Sequence, residues 1–131
     1  VMAGDDQLGV FSGDGIVVAT PTGSTGYSLS AGGPIVEPTA QNFVISPICA
    51  HTVFSSSFVL SAAGSVSVSS AEQSRKQIYL SVDGGKAFAL RPGDRVRVCR
   101  SRYETELLRL TDRSLYEILR TKMAGGIGNE K

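Results

Sequence analysis

The sequence is poor in residues that would announce metal or disulfide chemistry: of 131 residues, two are cysteine and one is histidine. Cys49 and Cys99 lie far apart, and neither has a cysteine or histidine neighbour at metal-ligand spacing, so structural zinc is not expected. Two buried free thiols in a reducing compartment are expected rather than a disulfide. His51 alone cannot build a multi-histidine metal site. Excess charge of one sign is also missing: 13 basic and 12 acidic residues leave a formal charge of +1, and no stretch is strongly basic. Nucleic acids and anionic membranes draw affinity from clustered positive charge, so neither is expected as a partner. No apolar run approaches bilayer length, and the first residues lack a basic region followed by an apolar core. Neither a membrane helix nor a secretory signal is expected in the chain as given.

What is present suits one domain with a real core. Residues 8–19 form two apolar runs around a Ser-Gly-Asp-Gly turn. Residues 43–49, 57–68, 77–83, 86–90, 95–100 and 103–110 are short, β-branched or alternating. Turn chemistry such as Asp83-Gly84-Gly85 and Arg91-Pro92-Gly93-Asp94 separates them. This rhythm predicts a mainly β fold, a sandwich or partly closed barrel. Two helices interrupt it. Residues 112–123 place Leu115, Ile118, Leu119 and Lys122 or Met123 on one face, with Asp112 or Thr111 as cap and Gly125 as stop. A short helix is also expected from Ser24 or Thr25 to Gly32-Gly33. The domain is expected to span residues 1–123, with 124–131 a disordered tail.

The chemistry concentrates in TPTGSTGYSLSAGG, residues 20–33. A P-loop needs a lysine that reaches the terminal phosphates, and this stretch has none. A dinucleotide fingerprint starting at Gly13 and Gly15 would need glycine at position 18, where valine stands. A nucleophile elbow fails as well, because Thr22 and Ser28 occupy the required first-glycine positions. Ser24, His51 and Asp83 could be assembled as a triad, but a lone histidine is better read as a hydrogen-bonded loop residue, so a hydrolase is only a weak alternative. What remains is a loop of small hydroxyls and close-approach glycines. Thr25, Ser28 and Ser30 can exchange hydrogen bonds, Gly26 lets a ligand approach the backbone, and Tyr27 offers a flat face. The first amides of a helix here would be free to donate. Composition alone leaves two readings open: a binding loop for a polar, ring-containing ligand, and a hydroxyl-rich turn that binds nothing. Asp14 and Asp83 both precede glycine, the usual hairpin-turn pair. As unpaired carboxylates at strand ends they could also accept hydrogen bonds from ribose hydroxyls.

The letters GDGIVVATPTGSTGYSLSAGGPIVEP (13–38), ISPICAHT (45–52), SVDG (81–84) and LYEILRTKM (115–123) resemble the C-terminal part of an ATP-dependent NAD kinase. The resemblance runs in order from about residue 8 to residue 123. It implies the C-terminal, β-sandwich-like domain of a two-domain enzyme, with NAD held in the crevice between the domains. It also implies transfer of the γ-phosphoryl of ATP, or of polyphosphate in some members, to the 2′-hydroxyl of the adenosine ribose, giving NADP. A divalent metal, usually Mg²⁺, a cytoplasmic location and a homodimer or homotetramer are implied with it.

Carried over by motif, Thr25, Gly26, Tyr27, Ser28, Leu29 and Ser30 match the NAD-contacting segment. Asp14 matches the aspartate that contacts NAD, in some oligomers from a neighbouring subunit. Asp83 matches the aspartate of the later turn near the dinucleotide, and Gly85 stands where many members have glutamine or asparagine. Gly26 replaces an alanine, and Ala50 a proline. The family's Gly-Gly-Asp-Gly motif, which handles ATP phosphates and supplies the proposed general base, is missing here, as is its Asn-Glu or Asn-Asp pair. The resemblance therefore implies that no catalytic residue and no metal ligand lies in this chain. It further implies that residues 1–131 alone are inactive and self-associate through an uncovered apolar face or the family's oligomer interface. Two alternatives remain from the sequence: a non-catalytic nucleotide-binding module and, below it, a lipid kinase of the diacylglycerol or sphingosine type.

Overall fold

The computed structural model describes residues 1–51, 55–72, 74, 76–108, 110 and 112–124, with only the backbone described at 123. The expected tail beyond residue 124, the Thr111 cap, the Gly125 stop and the packing of Met123 lie outside the described residues.

The strand expected over 43–49 forms, and it is covered on both faces. Strand β4 (Asn42–Ile48) is buried from Phe43 to Pro47. It forms the middle of an antiparallel sheet between β3 (Gly15–Ala19) and β5 (Phe58–Ser61). A second sheet has the order β2-β1-β6-β9, built from β1 (Met2–Ala3), β2 (Asp6–Gln7), β6 (Ser65–Ser69) and β9 (Arg95–Cys99). Strands β7 (Ile78–Leu80) and β8 (Phe88–Leu90) make a separate hairpin.

The alternation of side chains sorts each strand between two faces. Phe43 and Ile45 of β4 cluster with Ala62 and Val66, and Ile16, Val18, Phe58, Leu60, Val68 and Val98 pack around them. Both sheets therefore contribute to one core, a sandwich as the strand rhythm predicts. Full burial of Ile45 and Val66 contributes about 1.5–3 kcal/mol each. Val44 and Ser46 point to the opposite face of β4, where the chain between β3 and β4 folds back over them.

Pro47 sets where the pairing of β4 with β5 ends. The Ala62 amide donates to the Gln41 carbonyl at 3.0 Å, which gives the odd-numbered positions of β4 the bonds to β5. Pro47 shares that phase but has no N–H. Pairing with β5 stops at Ile45↔Phe58, and Ser57 is left outside the ladder.

Several expectations are corrected. Residues 57–68 are not one strand, because the chain turns at Ala62–Gly64 and passes from one sheet to the other. Residues 8–12 form no strand, and β3 alone represents the 8–19 segment. No strand forms over 103–108: the adjacent Leu107 and Leu108 break the alternation, and both are exposed. The cysteines are free, as expected, but exposed rather than buried. Cys99 lies on the outward phase of β9 while Val96 and Val98 turn inward, and Cys49 follows the last residue of β4 at φ 47°.

Helix α2 (Leu115–Ala124) begins three residues later than the expected 112–123, and Asp112 is not its cap. Ser114 Oγ accepts the Glu117 amide at 3.2 Å, and Glu117 Oε2 accepts the Ser114 amide at 3.1 Å. This is a reciprocal capping box, and it satisfies two amides at once. The chain divides into two compact units, one ending at Arg100 and the other beginning at Ser101. Among the described residues, no helix is long and apolar enough to cross a membrane.

Candidate functional site

The loop between β3 and β4 is built on inward-facing hydroxyls. Residues Thr22–Thr25 form one 3-10 turn, and α1 (Tyr27–Ser30) follows as a single α-turn. Ser24 and Ser28, four positions apart, are both buried, whereas Thr25, Gly26, Tyr27, Leu29 and Ser30 are exposed. Such spacing puts the two serines under one face and leaves the others outward.

Each buried hydroxyl is committed. Ser24 Oγ donates to the Pro21 carbonyl at 2.6 Å and accepts the Val36 amide at 3.0 Å, closing the loop on itself. Ser28 Oγ and Ser46 Oγ lie 3.1 Å apart, and Ser57 Oγ donates to Ser46 Oγ at 3.0 Å. A row of three hydroxyls thus pins α1 to β4. Gly33 closes over it: a Cβ there would lie 2.5 Å from Ser46 Oγ and 2.8 Å from the Ser28 carbonyl. Tyr27, 64 % exposed, stands on this footing with its ring available to a ligand.

Ser24 and Ser28 hold the loop from beneath and do not present their hydroxyls to a ligand. The triad reading fails with them, since Ser24 is fully buried and both its bonds are internal. His51 uses its amide to reach the Ser12 carbonyl at 2.8 Å, in keeping with a loop role. The expected helix from 24 to 33 is only one turn long, too short for its amides to make a helix-terminus site. Gly26 has φ −90°, and a Cβ there would meet only the Gly23 carbonyl, at 3.3 Å. Alanine, which the family resemblance placed there, needs only a few tenths of an ångström of give.

The two carboxylates are not part of this loop. Asp14 is exposed immediately before β3, and its amide donates to the Ile48 carbonyl at 2.9 Å. The strand separates it along the chain from Thr25–Ser30. Asp83 occupies the tip of the β7–β8 hairpin at φ 50°, followed by Gly84 at φ 70°. The Gly85 amide donates to the Val82 carbonyl at 2.9 Å. Two successive positive φ values closed by that bond make a type I′ turn, the arrangement that favours Asp-Gly. Ser81 Oγ donates to the Gly85 carbonyl at 3.1 Å, so the tip is held locally. A Cβ at Gly85 would press on the Val82 carbonyl at 3.0 Å.

Among the described residues, no three of His, Cys, Asp and Glu come together to hold a metal ion. This donor set does not fit the divalent ion the family implies, and no step is derived through one. Sequence reasoning also overlooked Ser46 and Ser57 as parts of the site. A visible signal was the polar residue inside the apolar run FVISPI.

The comparisons bear on the same segments. Residues 1–110 match the family model described as the ATP-NAD kinase C-terminal domain. The NAD kinase of Symbiobacterium thermophilum is 45% identical over 125 residues, covering 95% of this chain and 44% of that protein. That of Natranaerobius thermophilus is 40% identical over 123 residues, covering 94% and 43%. The chain thus spans less than half the length of these curated relatives. Among solved structures, yeast NADH kinase complexed with NADH matches with a TM-score of 0.68 at 34% identity, over 75% of this chain and 28% of that one. An NAD kinase from Archaeoglobus fulgidus in complex with ATP matches at 0.62 and 31% identity, over 71% and 34%.

Proposed function

This chain belongs to the ATP-NAD kinase family, where it matches the C-terminal domain, and on that premise we propose that it forms the NAD-holding part of an enzyme that makes NADP. The observation that carries this reading is the outward face of the β3–β4 loop. Thr25, Gly26, Tyr27, Leu29 and Ser30 are exposed together above a floor of bonded serines. Such a face is suited to a flat base and a polar sugar: the Tyr27 ring stacks, the Thr25 and Ser30 hydroxyls exchange hydrogen bonds, and Gly26 admits the ligand close to the backbone. Ser28 belongs to the same site by holding α1 in place. Asp14, Asp83 and Gly85 are assigned to the dinucleotide as well, with the two carboxylates accepting from ribose hydroxyls.

Phosphoryl transfer rests on positioning and on neutralising charge at the transferred group. This chain's residues supply positioning of the acceptor. The ATP (or polyphosphate) contacts, the general base and the divalent metal are assigned to the N-terminal domain of the whole enzyme, a cytoplasmic homodimer or homotetramer. Supplying the N-terminal domain of a close relative to the chain, with NAD, ATP and Mg²⁺, tests the reading. NADP is expected only when both parts are present. NADP formed by the purified chain alone, or none from the combination despite a stable complex, would sink it.

A further inference from the structure

We propose that Ser46 is a positioning residue for the ligand loop, acting through Ser28 and never touching the dinucleotide; this rests on the function proposed above. Ser46 is fully buried in the middle of β4, opposite Val17 of β3. Its neighbours Ile45 and Pro47 turn to the other face, so its hydroxyl is directed beneath α1. There it meets Ser28 Oγ at 3.1 Å and receives the Ser57 hydroxyl at 3.0 Å.

The direction of these bonds matters. Ser57 donates its proton to Ser46, which leaves the Ser46 proton free to donate to Ser28. Ser28 is 1% exposed, and water cannot replace this bond while α1 stays down. Removing the Ser46 hydroxyl therefore strands a buried polar group, and lifting α1 to hydrate it is the relief. That movement displaces Tyr27 and Ser30, which flank Ser28 on the outward side. Gly33 shuts the remaining space, so no side-chain shift from that side can fill the gap.

The test measures amide hydrogen exchange and NAD titration together on this chain, for Ser46→Ala, Ser57→Ala and the double variant Ser28→Ala/Ser46→Ala. Ser46→Ala is expected to speed exchange over residues 25–33 about tenfold and to weaken NAD binding by a similar factor. Strands β6 and β9 should keep their rates. Ser57 is only half-buried, so Ser57→Ala is expected to show about a threefold change in the same segment. The double variant should be no worse than Ser46→Ala alone, because it leaves no fully buried hydroxyl unpaired: Ser57, which loses its acceptor in both, is half-buried and can turn to water. Unchanged exchange over 25–33, or equal acceleration in both sheets, overturns the proposal. Weaker NAD binding with unaltered loop exchange also overturns it, since Ser46 would then act on the ligand directly. If unaltered chain, with the N-terminal domain of a close relative added, fails to bind NAD, the function proposed above is at fault, and the exchange pattern still decides the role of Ser46.

Discussion

The Gly33 amide donates to the Ser28 carbonyl at 2.8 Å, and the space where a Gly33 side chain would begin is filled by the Ser28 and Ser46 hydroxyls. Glycine is required there by close approach. Gly33→Ala is expected to destabilise the first unit by about 2–3 kcal/mol through overpacking against backbone. A denaturant midpoint unchanged from the parent chain would show that the loop yields more easily than its contacts indicate.

Tyr27→Ala separates binding from folding. The side chain is 64 % exposed, so stability should change by less than about 0.5 kcal/mol. Loss of a base-stacking ring is worth about 1–3 kcal/mol, so NAD should bind roughly 5- to 150-fold more weakly in calorimetric titration. Undiminished binding would remove the tyrosine from the site.

Asp83 has two roles to distinguish, turn former and ligand acceptor. Asparagine adopts a left-handed conformation as readily as aspartate, so Asp83→Asn should leave the melting curve in place. NAD affinity should drop severalfold, because the amide oxygen keeps the bond but loses the charge that strengthens it. Gly84→Ala, at φ 70°, should instead cost about 1 kcal/mol of hairpin stability. Unchanged NAD affinity in Asp83→Asn would leave only the turn role.

In the second unit, Ser114→Ala removes one half of the capping box. A loss of about 0.5–2 kcal/mol in the stability of α2 is expected, read as reduced helicity by circular dichroism. Asp112→Ala should do little. The reverse order would return the cap to Asp112.

Much of this was legible in the letters. The run 43–49 announced a strand, Asp83-Gly84 announced its turn, and the 20–33 stretch carried the family resemblance. Ser114 and Glu117 also stand at capping-box spacing in the sequence, beside Asp112 and Thr111 as rival caps. The bonds made by Ser46 were not legible. They join residues 18 and 11 positions apart, and only the register of β4 and the end of its pairing with β5 at Ile45 bring them together. Over residues 103–108 the expected strand does not form for a related reason: local β propensity forms a strand only where another strand is there to pair with it.

The corner at Ala62–Gly64, where the chain leaves one sheet for the other, also gives folding an order. The β3–β4–β5 meander closes over contacts between near segments, whereas Met2 meets Ser67 across nearly half the chain. Distant pairings wait on the search that brings their ends together. In pulse-labelled refolding, protection should therefore reach Val44 and Leu60 before Gly4, whose amide donates to the Ser65 carbonyl at 2.9 Å. The ligand loop, spanning the two strands that meet first, would then take shape before the second sheet is complete.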